Sequence, residues 1–344
     1  MRLTRRVVGG REAREGEFPF VANIQYTHDQ RPLQCVGTII HSQVIVLPAF
    51  CVVHPQTHRP VDHRDLVVGY GSVERSRQRH ARVVKIVAHK EFVADEMTND
   101  IALLQVEPLD LTAPGADKIP VYTGGVHAHQ QLDVMGWGMD GEAVGEWSEK
   151  LRTTSVTIGE TDRCRKSGNY NGVEGRVLCT DNQLNPGHDL CDGEFGASLV
   201  AKVDGQSQLV GMYSYHVDTS AEGYSRCAKN TSMAFYTHIY GYIGFIAATT
   251  GVPVDEFTAR AAPGLGRPSS NMAPIYLWGL LLAIGLVWAA VYAVYIVRER
   301  RAAAPRHWQG AEYELVSRLP EPTTDYNRPA SPHSPDAEVV DIVL

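Results

Sequence analysis

The sequence lacks the features that mark several common functional classes. Its 344 residues carry a net charge of only -7, spread along the chain, so charge does not point to a nucleic-acid partner. None of its 14 histidines stands in a metal-ligand spacing such as H-E-x-x-H, and we expect no metal site and no cofactor. The first six residues, M-R-L-T-R-R, have no apolar core and do not resemble a signal peptide.

Cysteine is sparse, and its number is even. The six cysteines all precede residue 230, and sequence alone leaves their pairing open. A full set of disulfides would indicate an oxidising compartment outside the cytosol, whereas six reduced thiols in the cytosol are the alternative.

The chain divides into segments of different composition. Residues 1–6 form a basic stub. Residues 7–251 alternate short apolar runs with Gly, Pro, Asp and Asn turns, which predicts a β-rich domain. Residues 252–274 form a linker with Pro, Gly, Ser and Arg. Residues 298–344 form a tail with Pro and Ser that we expect to be disordered.

A charge-free run separates the linker from the tail. Residues 275–297 could cross a hydrocarbon core of about 30 Å as a helix. Aromatic residues near both ends are typical of interfacial anchors: Tyr276, Trp278, Tyr292 and Tyr295. Arginines follow the run directly: Arg298, Arg300, Arg301 and Arg306. The sequence therefore predicts a single transmembrane helix with a cytoplasmic tail, and a buried helix of a soluble protein is the alternative.

The predicted orientation places residues 7–251 outside the cell or in a lumen. A domain in that position normally requires a signal peptide, which residues 1–6 do not supply. We expect an upstream segment to be missing from this sequence. The alternative is that the membrane helix itself translocates the domain.

Four stretches of the chain carry recognisable motifs. Residues 6–10 read R-V-V-G-G, and residues 34–51 read Q-C-V-G-T-I-I-H-S-Q-V-I-V-L-P-A-F-C. Residues 99–104 read N-D-I-A-L-L, and residues 189–198 read D-L-C-D-G-E-F-G-A-S. In this order they resemble the activation junction and the histidine, aspartate and serine motifs of trypsin/chymotrypsin-like serine proteases. The resemblance covers residues 7–251.

The resemblance implies an all-β fold of two packed six-stranded antiparallel β-barrels with a C-terminal helix. It also places Phe50 in the slot of the catalytic histidine and Phe195 in the slot of the nucleophilic serine, while Asp100 keeps the aspartate position. A phenyl ring cannot accept a proton or attack a carbonyl, so we expect no catalysis. The two rings should meet and plug the cleft, with neutral drift as the alternative. Ser214 should support the carboxylate of Asp100.

The substrate pocket implied by the resemblance looks degraded. Asp189 matches the aspartate that selects basic side chains, but His216 and Ala234 replace glycines at the walls. We expect a constricted acidic dimple, with a residual site for a basic side chain as the alternative. Gly193 could still contribute a donor resembling those of an oxyanion hole.

The resemblance further implies an activation switch and three disulfides. Cleavage after Arg6 would free the amino group of Val7 to pair with Glu194, which is one methylene longer than the family's aspartate. The implied disulfides are Cys35–Cys51, Cys164–Cys179 and Cys191–Cys227.

A basic loop and several short motifs suggest partners. The loop matches an exosite of some relatives and could bind an acidic extracellular partner, or simply be solvated: Arg75, Arg77, Arg79, Arg82 and Lys85. Too few acidic residues occur there for calcium. Asn230 begins a glycosylation sequon. In the tail, Y-E-L-V at 313–316 and the terminal I-V-L could bind sorting or PDZ-type adaptors.

These observations favour a membrane-anchored, non-catalytic serine protease homologue that binds a protein as a cofactor, decoy or adhesion module. One alternative is an active trypsin-like endopeptidase. Another is a structural ectodomain whose function lies in the cytoplasmic tail.

Overall fold

The computed structural model describes residues 10–28, 31–54, 57–138, 147–167, 175–188, 190, 194–218, 231–259, 285, 288–296 and 298–299. The chain forms two units, Met1–Leu265 and Gly266–Leu344. The predicted alternation of apolar runs and turns produces strands in the first unit. Within the described ranges these are Arg11–Glu12 (β1), Val21–His28 (β2), Arg31–His41 (β3), Val44–Leu47 (β4), Val67–Tyr70 (β5), Arg79–Ala81 (β6), Val83–Ala88 (β7), Ala102–Val106 (β8), Gln131–Gly136 (β9), Arg152–Thr157 (β10), Val177–Asp181 (β11), Ser198–Val203 (β12), Gln206–Asp218 (β13) and Ser232–His238 (β14).

The first barrel is closed by one bent strand. Its antiparallel sheet runs in the order β6-β5-β2-β3-β4-β8-β7. β6 and β7 lie at opposite ends of this order, yet only Arg82 separates them in the chain. The chain therefore pairs first with β5 and then with β8, and six strands close into a barrel.

The second barrel is closed by a single bridge. Its order is β1-β10-β9-β12-β13-β14-β11, and an antiparallel bridge between Ile158 and Thr180 joins the end of β10 to β11. β1 is a two-residue strand added outside this ring. The predicted double barrel is confirmed, with β1 as an addition that the motifs did not indicate.

The interface between the two barrels, called the seam below, is lined by strands whose residues are apolar without interruption. In β4, Ile45 and Leu47 point into the first barrel, whereas Val44 and Val46 belong to a cluster that also contains Trp137 of the second barrel. Because successive strand side chains point to opposite faces, an uninterrupted V-I-V-L run fits a strand that is buried on both sides.

Among the described residues of the first unit, the α-helices are Thr161–Ser167 (α1), Ile243–Thr250 (α2) and Val254–Phe257 (α3). α2 is the predicted C-terminal helix, and it ends at Gly251, whose left-handed φ of 71° favours glycine. The chain then packs back onto the domain. Phe257 is buried in the seam cluster, and its carbonyl accepts the Val121 N–H at 2.7 Å. The first residues of the predicted linker thus belong to the folded unit.

In the second unit, residues 288–296 and 298–299 are helical. Several of its apolar side chains are exposed, among them Trp288 at 70%. In the part of the chain that is described, no helix is long and apolar enough to cross a membrane. The tail motifs predicted between residues 302 and 344 lie outside the described residues.

Candidate active site

Phe50 and Phe195 meet where the two barrels face each other. Phe50 lies in a 3-10 turn, Ala49–Cys51, directly after β4, and Phe195 lies in the turn before β12. Their ring centroids are 4.9 Å apart with the planes tilted by 47°. Phe195 packs against the cores of both barrels, whereas Phe50 remains 40% exposed. The expected ring contact is present.

Main-chain hydrogen bonds fix the position of Phe195. Its carbonyl accepts the Val36 N–H of β3 at 2.8 Å, and the Gly196 N–H donates to the Tyr213 carbonyl at 2.8 Å. Gly196 has a φ of 86°, and a Cβ there would collide with the Val36 carbonyl oxygen. Glycine is therefore required at this turn by both its conformation and the close approach of β3.

Asp100 is buried beneath these rings, with 1% of its surface exposed. Its Oδ1 accepts the Phe50 N–H at 2.8 Å, and the expected hydrogen bond from Ser214 Oγ reaches its Oδ2 at 2.5 Å. Burial raises the pKa of Asp100 to about 6, although hydrogen bonds from Ser214, Phe50 and Ala49 oppose the shift. The carboxyl thus keeps its supporting donors, and the ring of Phe50 lies beside it, where the resemblance places the catalytic histidine.

A β-bulge at Ser214 determines which side chains enter this region. Tyr213 pairs with Tyr236, and Tyr215 pairs with the adjacent Phe235, so one extra residue stands in β13. Without the bulge, Tyr213 and Tyr215 would share a face. With it, Tyr213 turns toward Phe195 and Tyr215 stacks on Phe235 instead.

Tyr213 extends the ring contact into an aromatic column of Phe50, Phe195, Tyr213 and Tyr236. The Phe195 and Tyr213 rings stack at 5.9 Å, and those of Tyr213 and Tyr236 meet edge-on at 5.8 Å. Sequence reasoning missed Tyr213. No local signal marks it, because side chains adjacent in a strand normally point to opposite faces, and here the bulge turns the ring of Tyr213 toward the site.

The predicted pocket residues are only partly described. His216 and Ala234 are direct cross-strand partners in β13 and β14, so they are neighbours. The Nδ1 of His216 lies 2.7 Å from the Tyr213 hydroxyl. Asp189 and Gly193 lie outside the described residues, and their roles stay predictions.

The acid of the predicted switch is enclosed. Glu194 is fully buried, and its carboxyl lies so close to Gly138 that a Cβ there would sit 2.6 Å from it. The extra methylene of glutamate is thus accommodated beside a glycine. Arg6 and Val7 lie outside the described residues.

The structure confirms two of the three implied disulfides, Cys35–Cys51 and Cys164–Cys179. Cys191, Cys227 and the sequon residue Asn230 lie outside the described residues. Among the residues that are described, no group of three or more His, Cys, Asp or Glu could hold a metal ion.

Three of the five basic loop residues make contacts within the domain. Arg75 is half-buried, and this burial lowers its pKa. Arg77 pairs with Glu74 at 2.8 Å. Arg79 lies 3.5 Å from Asp110, and its guanidinium lies 4.7 Å from the centre of the Tyr70 ring.

Arg82 and Lys85 of the same loop are exposed. The cationic surface offered to a partner is therefore smaller than the sequence indicates.

Comparison with known proteins agrees with this geometry. The family model described as Trypsin matches residues 7–246. Human tissue-type plasminogen activator is 27% identical over 265 residues, covering 70% of this chain and 44% of its own length. Serine protease SP24D of Anopheles gambiae is 28% identical over 228 residues, covering 64% of this chain and 77% of its own. The chain thus spans less than half the length of the plasminogen activator.

The solved structure of HL collagenase shares the fold. Its TM-score is 0.58 at 23% identity, and the match covers 72% of this chain and 100% of that chain. Together with the family match over most of the chain, the double barrel shows that this protein belongs to the trypsin family and carries a trypsin-like serine protease domain.

Proposed function

We propose that this chain is a membrane-anchored serine protease homologue that binds a protein partner without cleaving it. The observation that carries the proposal is the contact of Phe50 with Phe195 at 4.9 Å above a buried Asp100. Acyl transfer requires a nucleophile and a base within hydrogen-bond reach of each other, and phenyl rings offer neither.

An active endopeptidase would need substitute groups, and the two nearest candidates are poorly placed. Ser198 is fully buried in β12, and its Oγ lies 2.7 Å from the Oγ1 of Thr38. His54 lies beyond the turn that carries Phe50, and its Nδ1 accepts the Thr57 N–H at 3.4 Å. These contacts support the non-catalytic proposal over its enzymatic rival.

The test is labelling of the domain, cleaved after Arg6, with a fluorophosphonate serine probe, together with turnover of Arg- and Lys-containing peptides. We expect neither. The matched control is the double variant Phe50→His/Phe195→Ser, in which Asp100 and Ser214 already stand in place. Labelling of the unaltered chain at a level comparable to this control would establish the endopeptidase instead.

A cleft filled by the rings of Phe50 and Phe195 can still bind a protein partner at its surface. The exposed ring of Phe50 offers an apolar contact at the cleft surface, and Arg82 and Lys85 offer charge for an acidic extracellular partner. We place the protein among cofactors, decoys and adhesion modules.

The proposal is tested by capture of partners on the full-length chain and on a chain that lacks residues 302–344. Binding that disappears with the tail would favour a function in the cytoplasm, through a sorting or PDZ-type adaptor.

Membrane anchoring is proposed from the charge-free run at residues 275–297 and the arginines after it. The exposed apolar side chains of the helix at 288–296, Trp288 and Tyr292 among them, support it because a cluster of apolar side chains is unfavourable in water. Alkaline extraction of membranes tests it: an anchored chain stays with the lipid, and a chain released into the supernatant would contradict the proposal.

A further inference from the structure

Residues 252–258, called the clamp below, fasten the end of the first unit to both barrels. The family match ends at residue 246, so the clamp lies beyond the part of the chain that matches the family. The chain turns at Gly251 and brings Phe257 into the seam. All seven residues of the clamp are described, and of these only Phe257 is fully buried, whereas Val254 is 40% exposed. The docking of the clamp therefore depends chiefly on one ring.

The clamp contacts the end of β3 in the first barrel. The ring of Phe257 meets the ring of His41, the last residue of β3, edge-on, with centroids 6.3 Å apart. Val36 lies farther back on the same strand, and its N–H donates to the Phe195 carbonyl at 2.8 Å. The strand that the clamp contacts is thus the strand that positions Phe195 in the cleft.

The clamp reaches the second barrel through Val121. The Val121 N–H donates to the Phe257 carbonyl at 2.7 Å, and Val121 also forms a parallel bridge with Leu209 of β13. Four residues later, β13 reaches Tyr213, whose carbonyl accepts the Gly196 N–H in the cleft. Since a strand rises about 3.3 Å per residue, Leu209 and Tyr213 are about 13 Å apart along β13. The second strand that the clamp holds thus also leads to the cleft.

Buried side chains fill the space between the clamp and the cleft. The apolar cluster that contains Phe257 also contains Val36 of β3, Met212 of β13 and Trp137, and all three are fully buried. Protein interiors are close-packed and have low compressibility, so they transmit a displacement rather than absorb it. A shift of Phe257 should therefore reach the cleft through the two strands.

We propose that the clamp holds the two barrels in position, so that the contact between Phe50 and Phe195 depends on the docking of Phe257. Release of the ring frees the end of β3 and loosens the hydrogen bond between Val36 and Phe195. The chain continues from the clamp toward residues 275–297, so a displacement of the chain beyond Thr258 reaches the clamp before any other part of the domain. The clamp does not depend on whether the cleft binds a partner or cleaves a substrate.

Hydrogen exchange on the full-length chain in detergent micelles tests this coupling. The variant Phe257→Ala removes the buried ring. The N–H groups of Val36 and Gly196 report on the cleft, and that of Gly159, which donates to the Cys179 carbonyl, reports on a remote part of the second barrel. The protection factors of both cleft amides should fall further than that of Gly159, by a factor of about five or more.

Phe235→Ala is the matched control, because Phe235 is also fully buried but packs with Cys179 in a different cluster. A general loss of stability lowers protection in both variants, so the comparison between them removes it. In the control, Gly159 should lose at least as much protection as the two cleft amides. An equal or greater relative loss at the cleft in the control would overturn the proposal.

A second measurement remains decisive if Phe257→Ala does not fold. The milder variant Phe257→Leu keeps an apolar side chain but loses the ring contact with His41. If the clamp supports the cleft, loosening it removes part of the contact that Phe50 makes. Phe50→Ala should then raise the urea unfolding equilibrium constant less in the Phe257→Leu background than in the parent. The difference should exceed a factor of about two, the limit for independent sites.

Phe235→Leu provides the control background, in which Phe50→Ala should have the same effect as in the parent. Independent effects of Phe257→Leu and Phe50→Ala would refute the clamp. Neither measurement involves a partner or a substrate, so failure here leaves the proposed function untouched, and protease activity would leave the clamp intact.

Discussion

Substitution of Phe195 by serine should destabilise the domain even though it places a serine where the resemblance puts the family's nucleophile. Removal of a phenyl side chain from a core costs about 3–5 kcal/mol, and Phe195 is partly buried, so we expect a loss of about 3 kcal/mol. The loss includes the ring contacts at 4.9 Å and 5.9 Å, each worth roughly 0.5–1.5 kcal/mol. Thermal unfolding of the full-length chain would show a Tm lower by roughly 6–12 °C.

A double-mutant cycle with Phe50→Ala isolates the contact between the two rings. Because the rings touch, the losses should be non-additive by about 0.5–1.5 kcal/mol. Phe92→Ser is the control, since Phe92 is also partly buried on the first barrel's core and has no ring contact with Phe50 among those described. Its loss should add to that of Phe50→Ala. A Phe195→Ser variant as stable as the parent, or a coupling energy near zero, would refute the plug and favour neutral drift.

Three further predictions concern other parts of the domain. Phe257→Ala should lower the free energy of unfolding by about 3–5 kcal/mol in urea titrations, because it leaves a cavity in the seam. Gly196→Ala should cost about 1–3 kcal/mol from backbone strain alone, and more from the collision with Val36, so reduced yield of folded protein is its readout. The pKa of Glu17 is lowered to about 2 by Arg11, so its contribution is present above pH 4.5 and fades as the pH falls toward 2. Glu17→Gln should thus destabilise at pH 6 and match the parent near pH 2, as followed by thermal unfolding.

The sequence motifs predicted which residues surround the site, because each motif can be matched from a short stretch of the chain. Asp100 and Ser214 could be matched from sequence, and their hydrogen bond is present at 2.5 Å. The contact of Phe50 with Phe195 was also predictable, because both positions are set by the fold rather than by their side chains.

Other features could not be derived from local patterns. The direction of Tyr213 depends on a bulge, and a bulge is a property of the pairing between β13 and β14 rather than of either strand alone. The docking of Phe257 depends on a gap at the seam that only the assembled barrels create. Likewise, the basic loop gave no sign that Arg79 would find an acidic partner, Asp110, elsewhere in the domain.

The two phenylalanines are held by their main chains. Two hydrogen bonds place them: the Phe50 N–H donates to the Asp100 carboxyl, and the Phe195 carbonyl accepts the Val36 N–H. Neither bond involves a side-chain atom of the phenylalanine. The backbone would therefore present whatever side chain stood at these two positions in nearly the same place. Under the proposed function, chemistry and architecture are therefore separable at this site: two exchanges change what the side chains can do and leave the fold that holds them in place.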